Sequence, residues 1–417
     1  MTAATCLQEA SPGLLTLPSL GRLLASLIRA EQSDLIAKGQ MPRAAGLILS
    51  DPRLTDAALA DLTIDEEGLG FDSLSRLSLV LRLNRFFGLS TTGVEDYLLV
   101  QRRFGDWVGL IAEHVRLMSD SLVLTFDTSG SSGPVKHIPH AINDLVAEIR
   151  GHLHGPLSDL PPGRVLTMVP PHHIYGCLFS VLLPEMIGRA VVDLHLLPPT
   201  ALFRQARAGD LVVGTPFTWG LVAQSGLRLP EGVRGLTSAA PATAETFTGA
   251  ATCGLAQLTE IFGATETGGI ATRAGFGAPF TLLPHLTREG EEVRHRDILP
   301  LQDRLDWLSD RQFHLLGRKD DVVQIGGVNV SPAHVQSLLA ALPGVAEVAV
   351  RLGQDRLKAF VVPAPDATEA DLTAGIAALC LGLPAPARPA ALRFGPRLPR
   401  NPMGKLSDWK DDGTLAG

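Results

Sequence analysis

Cysteine is scarce and scattered. The four cysteines, Cys6, Cys177, Cys253 and Cys380, form no C-x-x-C pair. That excludes a zinc ribbon or a disulfide framework and suits a reducing compartment. Positive charge is not in excess: lysine and arginine total 36 against 43 acidic residues, for a net charge of −7. No basic stripe stands out, so nucleic acid is not an expected partner. Long apolar runs are also missing. The nearest, Leu14 to Ile28, is interrupted by Pro18 and Arg22, and no membrane span is expected. The N-terminus has no basic region ahead of an apolar core, which points away from a secretory leader and toward the cytoplasm. The G-x-x-x-x-G-K-[S/T] phosphate loop is absent too.

What is present is a chain of 417 residues, 45% hydrophobic and 19% charged. It can bury a sizeable core and has room for roughly two to four domains. The stretch Thr125 to Lys136 reads T-F-D-T-S-G-S-S-G-P-V-K and follows the β-type run Leu122-Val123-Leu124. Gly130 and Gly133 let the backbone turn with its N–H groups inward, and Thr128, Ser129, Ser131 and Ser132 add hydroxyl donors. Lys136 supplies a point charge. This is the chemistry of a loop that wraps a polyphosphate. Taken alone, it is equally the composition of a Ser/Gly linker.

Before this loop, Leu20, Leu23, Leu24, Leu27 and Ile28 predict an amphipathic helix. The stretch L-G-F-D-S-L, residues 69–74, opens a second helix that Asp72 or Ser73 can cap, and Phe104 to His114 reads as a third. After the loop, residues 138–160 read as a helix. Val165 to Val169 is a strand that ends in Pro170-Pro171-His172-His173-Ile174-Tyr175-Gly176. Further strands at Ala190 to Leu194, Leu211 to Gly214 and Leu236 to Ala240 alternate with helices. The pattern predicts an α/β fold with a doubly wound, mostly parallel sheet. Ile261 to Gly269 is another strand entering a Gly/Thr-rich turn, where the Glu266 carboxylate suits a hard cation and the Thr265 hydroxyl suits a phosphate oxygen. Residues 321–417 read as a small α/β domain, with a helix from Pro332 to Leu342 and strands at Val345 to Val350 and Lys358 to Val362.

In this order, the motifs resemble those of the adenylate-forming superfamily of acyl- and aryl-CoA synthetases, luciferases and peptide-synthetase adenylation domains. The Ser/Gly loop is similar to T-S-G-[S/T]-[S/T]-G-x-P-K, with the proline one place early and Lys136 in position. His173 matches the histidine of F-H-x-Y-G, Ser238 to Pro241 the S-G-A-P element, and Gly263 to Glu266 the Y-G-x-T-E segment. Asp303 stands fourteen places before Gly317 of Gly317-Arg318-Lys319-Asp320-Asp321, as in T-G-D…G-R-x-D-D, and Pro399 to Lys405 matches the C-terminal P-x-x-x-x-G-K.

The resemblance implies ATP-dependent activation of a small carboxylic acid as acyl-AMP, followed by transfer to CoA or to the phosphopantetheine of an acyl carrier protein. It implies nucleotide contacts from Thr128, Ser129, Gly130, Ser131, Ser132, Gly133, Lys136, Asp303 and Arg318. Catalytic roles fall to Lys405, Glu266, Thr265 and His173, with Mg²⁺ on Glu266, a hinge at Asp320 and a thiol tunnel at Gly326 and Gly327. Gln324 and His334 stand where the family has a lysine and a glutamate. Residues 1–118 resemble an acyl carrier protein, with Ser73 of D-S-L in the place of the phosphopantetheine attachment serine. The expected organisation is therefore a helical carrier-like segment at 1–118, a reduced AMP-binding large domain at 119–318 and a mobile lid at 319–417. The weak lean is to an aryl acid. The alternative is a non-catalytic carrier or scaffold on a decayed ligase fold.

Overall fold

The computed structural model describes residues 15–50, 55–128, 135–318, 323–325, 328–353, 355–401, 404 and 406–409. They form two compact units. The first holds the described residues up to 299 with 310–312, and the second holds 300–309 and the described residues from 313 onward.

The first unit opens with helices α1 (Leu17–Ala37), α2 (Asp56–Asp61), α3 (Ser73–Phe87), α4 (Val94–Val100) and α5 (Phe104–Met118). Asp72 caps α3 by accepting the Ser75 N–H, and Gly88 ends it in the left-handed conformation at φ 70°. Strands β1 (Val123–Asp127) and β2 (His137–Ala141) then pair antiparallel, and α6 (Ile142–Leu153) follows. The helix expected over 138–160 therefore starts late. His137 to Ala141 pair with β1 instead, and Pro139, which has no N–H to donate, is tolerated in a two-stranded ribbon.

Next come β3 (Val165–Thr167), α7 (Ile174–Cys177), a π-helical turn (Leu178–Leu182), α8 (Leu183–Ile187), β4 (Val191–Asp193), α9 (Ala201–Gln205) and β5 (Leu211–Gly214). The unit continues with α10 (Pro216–Gln224), β6 (Arg234–Thr237), α11 (Ala244–Thr252), β7 (Gln257–Ala264), β8 (Gly268–Arg273), β9 (Phe280–Leu282), β10 (Thr287–Glu289) and β11 (Glu292–Arg294). The main sheet runs β9-β8-β7-β6-β5-β3-β4. Strands β4, β3, β5, β6 and β7 are parallel, and β8 and β9 add antiparallel. All residues of β5 are buried, so both sheet faces are covered, as a doubly wound sheet requires. Trp219 and Val222 of α10 and Ala250 of α11 pack with Leu166, Val212 and Leu258 of the sheet. The parallel order β4-β3-β5-β6-β7 reverses direction between β3 and β5, and such a switch point leaves a crevice beyond the strands' C-terminal ends.

In the second unit, β12 (Asp303–Trp307) and β13 (Gln312–Arg318) form an antiparallel pair, as do β14 (Val323–Ile325) and β15 (Val328–Val330). Then α12 (Pro332–Ala340), β16 (Val345–Leu352), β17 (Leu357–Pro363), α13 (Glu369–Leu381) and β18 (Ala391–Phe394) build an α/β layer. Val335, Leu339, Val350, Val361 and Ile376 are at its core.

The two compact units part near residue 300, and the described residues of 15–118 fall in the unit of the large sheet. The reason is where their side chains are spent. Phe86 of α3 meets Phe126 of β1 edge-on at 5.4 Å, and Ser26 of α1 lies 2.6 Å from Nδ1 of His172. Ser19 hydrogen-bonds Glu185 of α8. Pro184 in the helix interior cannot donate to the Ser180 carbonyl, and Arg22 Nη2 of α1 approaches that carbonyl at 3.4 Å. Ser73 is exposed in the first turn of α3, beside its capping aspartate.

Neutral buried histidines add a pH dependence. His114 sits between the Phe87 carbonyl and the Thr92 hydroxyl at 2.8 and 2.7 Å, and burial lowers its pKa. Burial, then the neighbouring His295, His152 and Arg311, push His285 down to about 4. The unfolded imidazole takes up its proton near pH 6.5, whereas the folded one resists until about pH 4. Stability is therefore lost as pH falls from about 6.5 toward 4. Urea midpoints are expected to drop over that range, and His285→Gln to flatten the drop. An unchanged slope in that variant would contradict this assignment.

Candidate active site

The Ser/Gly loop connects β1 to β2. Asp127 is paired with His137, whose Nδ1 lies 2.6 Å from the aspartate Oδ1. One step further, the Thr128 N–H donates to the Lys136 carbonyl at 2.9 Å, and the Lys136 N–H donates to the Thr128 hydroxyl at 3.1 Å. Ser129, Gly130, Ser131, Ser132 and Gly133 lie outside the described residues. The described residues Thr128 and Lys136 on either side are hydrogen-bonded to each other at the end of the β1–β2 ladder, which a linker between domains has no cause to form. The apolar alternation Leu124, Phe126 buries one face of β1 and anchors this neck.

At the switch point, β3 runs out through Pro170 and Pro171 to the two histidines. His173 takes the residue before α7, and its ring packs on His172 with centroids 4.3 Å apart. Burial, then the proximity of His173, Arg82, His195 and Arg29, holds the His172 pKa well below the usual imidazole range. It is therefore a neutral partner to Ser26. Tyr175 donates its hydroxyl to the Gly214 carbonyl at the end of β5, tying the two strand ends at the crevice together. The sequence alone assigns His172 no role, because its contact with Ser26 spans two distant elements and leaves no local signal.

The ends of β6 and β7 complete this side. Ala239 in the S-A-A-P stretch has φ 75°, a conformation that favours glycine, and the Ser238 hydroxyl donates to the Ile261 carbonyl at 2.9 Å. Beyond β7 the backbone turns through Thr265 and Glu266, closed by a hydrogen bond from the Thr267 N–H to the Ala264 carbonyl at 3.2 Å. Thr265 and Glu266 are half-buried, and the Glu266 carboxylate makes no hydrogen bond or ion pair among the described residues. A carboxylate left open in this way fits Mg²⁺, which takes one or two protein carboxylates and completes its shell with phosphate oxygens and water. Two residues outside the recognised motifs hold this turn, His140 and Glu148.

In the second unit, Asp303 and Arg318 are cross-strand partners on β12 and β13. Their fifteen-residue separation is thus a hairpin register, and it sets the two on neighbouring strands. Asp320, Gly326, Gly327 and Lys405 lie outside the described residues. The chain on either side of Lys405 is fixed, however. Arg400 and Leu406 form a β-bridge, and Gly404, at φ 73°, donates its N–H to the Asn401 carbonyl at 2.8 Å. Lys358 holds the Trp409 carbonyl at 2.7 Å and the Asp408 carboxylate at 2.9 Å, and Trp409 packs edge-on to Phe360.

Residues 75–291 match the family model described as AMP-binding enzyme, and residues 334–405 match that of the AMP-binding enzyme C-terminal domain. A 4-coumarate–CoA ligase of Rhodobacter capsulatus is 45% identical over 93% of this chain and 99% of its own length. One of Cereibacter sphaeroides is 44% identical over 94% of this chain and 96% of its own. Among solved structures, ATP-bound MatB of Rhodopseudomonas palustris shares the fold with a TM-score of 0.56 at 19% identity, covering 92% of this chain and 91% of that one. The AMP complex of O-succinylbenzoate coenzyme A synthetase of Bacillus subtilis gives 0.53 at 20% identity, over 70% of each chain.

Proposed function

We propose, on the premise that this chain belongs to the family of AMP-binding enzymes, that the acid it activates is a hydroxycinnamic acid of the 4-coumarate type and that the acceptor is coenzyme A. The protein is an AMP-forming acid–thiol ligase: it activates a carboxylic acid with ATP as acyl-AMP and passes the acyl group to a thiol. The finer reading is carried by the 45% identity to a 4-coumarate–CoA ligase along almost the whole of both chains. That relative is matched over 99% of its length, which supports reading the short span from Glu266 to Asp303 as a compact build. The scaffold alternative loses its support accordingly.

The chemistry follows from charge. A carboxylate must attack the α-phosphorus while pyrophosphate leaves, so two anions meet. Donors of the Ser/Gly loop and Lys136 take up the phosphates, Thr265 donates to the α-phosphate, and Glu266 would hold a divalent cation beside them. Lys405 is the cation between carboxylate and α-phosphate. The ribose is assigned to Asp303 and Arg318, and the place beside the acyl group to His173. Glu266 would hold Mg²⁺, which would supply electrostatic stabilisation of the negative charge on the phosphates. The acyl-AMP is then a mixed anhydride whose carbonyl a thiolate attacks. Coenzyme A is preferred to an internal carrier because the helices around Ser73 are built into the large unit. The cytoplasm, where ATP and coenzyme A meet, is the proposed compartment. Among the described residues, no helix is long and apolar enough to cross a membrane.

A panel of aromatic and aliphatic acids, scored by CoA-thioester formation, tests the substrate assignment. The expected order places 4-coumarate and its ring-hydroxylated neighbours first in kcat/KM. A benzoate or a medium-chain fatty acid ahead of them by tenfold or more would overturn it.

A further inference from the structure

We propose that His140 and Glu148 are positioning residues that lock the Thr265–Glu266 turn to strand β2 and helix α6, so that the metal carboxylate is held at a fixed height over the sheet edge. The inference rests on the nucleotide role assigned above to that turn. His140 lies on β2, opposite Leu124 and four residues beyond Lys136. Its Nε2 is 2.6 Å from the Thr265 carbonyl oxygen, a partner 125 residues away in the chain. A carbonyl can only accept, so Nε2 carries the hydrogen and the ring is the donor. The ring also packs against Phe126, fully buried in β1, at 5.9 Å. The imidazole is thus held from the hairpin side and fixes the peptide plane between Thr265 and Glu266.

Glu148, on α6 directly behind β2, holds the other end of the same turn. Its Oε1 accepts the Gly269 N–H at 2.8 Å, in a site where the carboxylate is almost fully buried. A Cβ on Gly268 or Gly269 would fall 2.3 or 2.4 Å from the Glu148 oxygens, so both glycines are there to let the carboxylate seat. The turn between these two anchors carries Thr265 and Glu266. Both anchors come from consecutive elements, β2 and α6, so the turn is held from one side of the unit. A structural clamp alone would set stability. A clamp on the metal carboxylate also sets how much Mg²⁺ adds to nucleotide affinity.

The test is the Kd for ATP, measured by calorimetry with Mg²⁺ and again with a chelator, on the wild type and four variants. His140→Phe keeps the ring on Phe126 but removes the donor; His140→Gln returns an N–H; Glu148→Ala removes the acceptor; Glu148→Gln keeps one. We expect His140→Phe and Glu148→Ala to weaken Mg·ATP binding about tenfold, the scale of one lost hydrogen bond. Binding of metal-free ATP should stay within about twofold, and the two glutamine variants should recover most of the loss. Equal weakening with and without Mg²⁺, or a fall in thermal midpoint with neither affinity changed, overturns the proposal while leaving the nucleotide site intact. A wild type that binds no ATP overturns the nucleotide role itself, and this proposal with it.

Discussion

Lys405→Ala is expected to slow acid adenylation by about a hundredfold to a thousandfold while leaving thioester formation from supplied acyl-AMP near the wild-type rate. The asymmetry follows from where the charges are. In adenylation, a carboxylate and a phosphate approach each other, and two unit charges about 4 Å apart at an effective dielectric near 20 repel by roughly 4 kcal/mol. That is about the barrier a cation at the junction must offset. In thioester formation, the electrophile is the neutral carbonyl of a mixed anhydride, and no such junction exists. On either side of Lys405, Arg400 and Leu406 form a β-bridge and Lys358 ties down Trp409. Pyrophosphate release measured with acid and ATP, against thioester yield from synthetic acyl-AMP, separates the two steps. If both rates fall together, Lys405 is a structural residue.

Glu260→Gln is expected to destabilise the first unit by about 3 kcal/mol, the cost of stranding one partner of a buried ion pair. Glu260 and Arg273 pair at 2.6 Å with side chains only 5% and 13% exposed. The second carboxylate oxygen accepts the Ala242 N–H at 2.8 Å, and Arg273 reaches the Ala242 carbonyl at 3.2 Å. Arg273 also lies over the Phe280 ring at 4.7 Å. The pair therefore pins the backbone just after the S-A-A-P stretch, where Ala239 is held in its left-handed conformation. The double variant Glu260→Leu, Arg273→Met removes both charges and should recover most of the lost stability, since replacing a whole buried pair by apolar groups is close to neutral. Denaturant midpoints with a common m-value give the comparison. A single variant as stable as the wild type would show that the pair is solvated after all.

Much of the site is legible in the sequence because its motifs are local. Strand, turn and chemistry fall within a few residues at Thr125 to Lys136 and at Ile261 to Gly269, and the all-apolar β5 marks a strand buried on both faces. The spacing from Asp303 to Arg318 is legible too, and it is the register of one hairpin. What stays hidden depends on contacts between distant residues. D-S-L with a following leucine-rich helix is a good helix start in any fold, and nothing within it tells that Phe86 will rest on Phe126. A carrier-like segment is thus the expectation from sequence, and the contact of α3 with β1 is visible only in the structure. His140 escapes notice for a related reason. Its stretch His137-Ile138-Pro139-His140-Ala141 adjoins a strongly helical pattern and is absorbed into it, so a donor on a strand facing Thr265 has no place.

Acid-dependent exchange of labelled pyrophosphate into ATP tests the central claim most directly. Incubated with ATP, Mg²⁺ and 4-coumarate, the protein is predicted to catalyse exchange that depends on the acid and disappears in Lys405→Ala. No exchange with any acid of a broad panel, from a folded protein that binds ATP, would contradict the account.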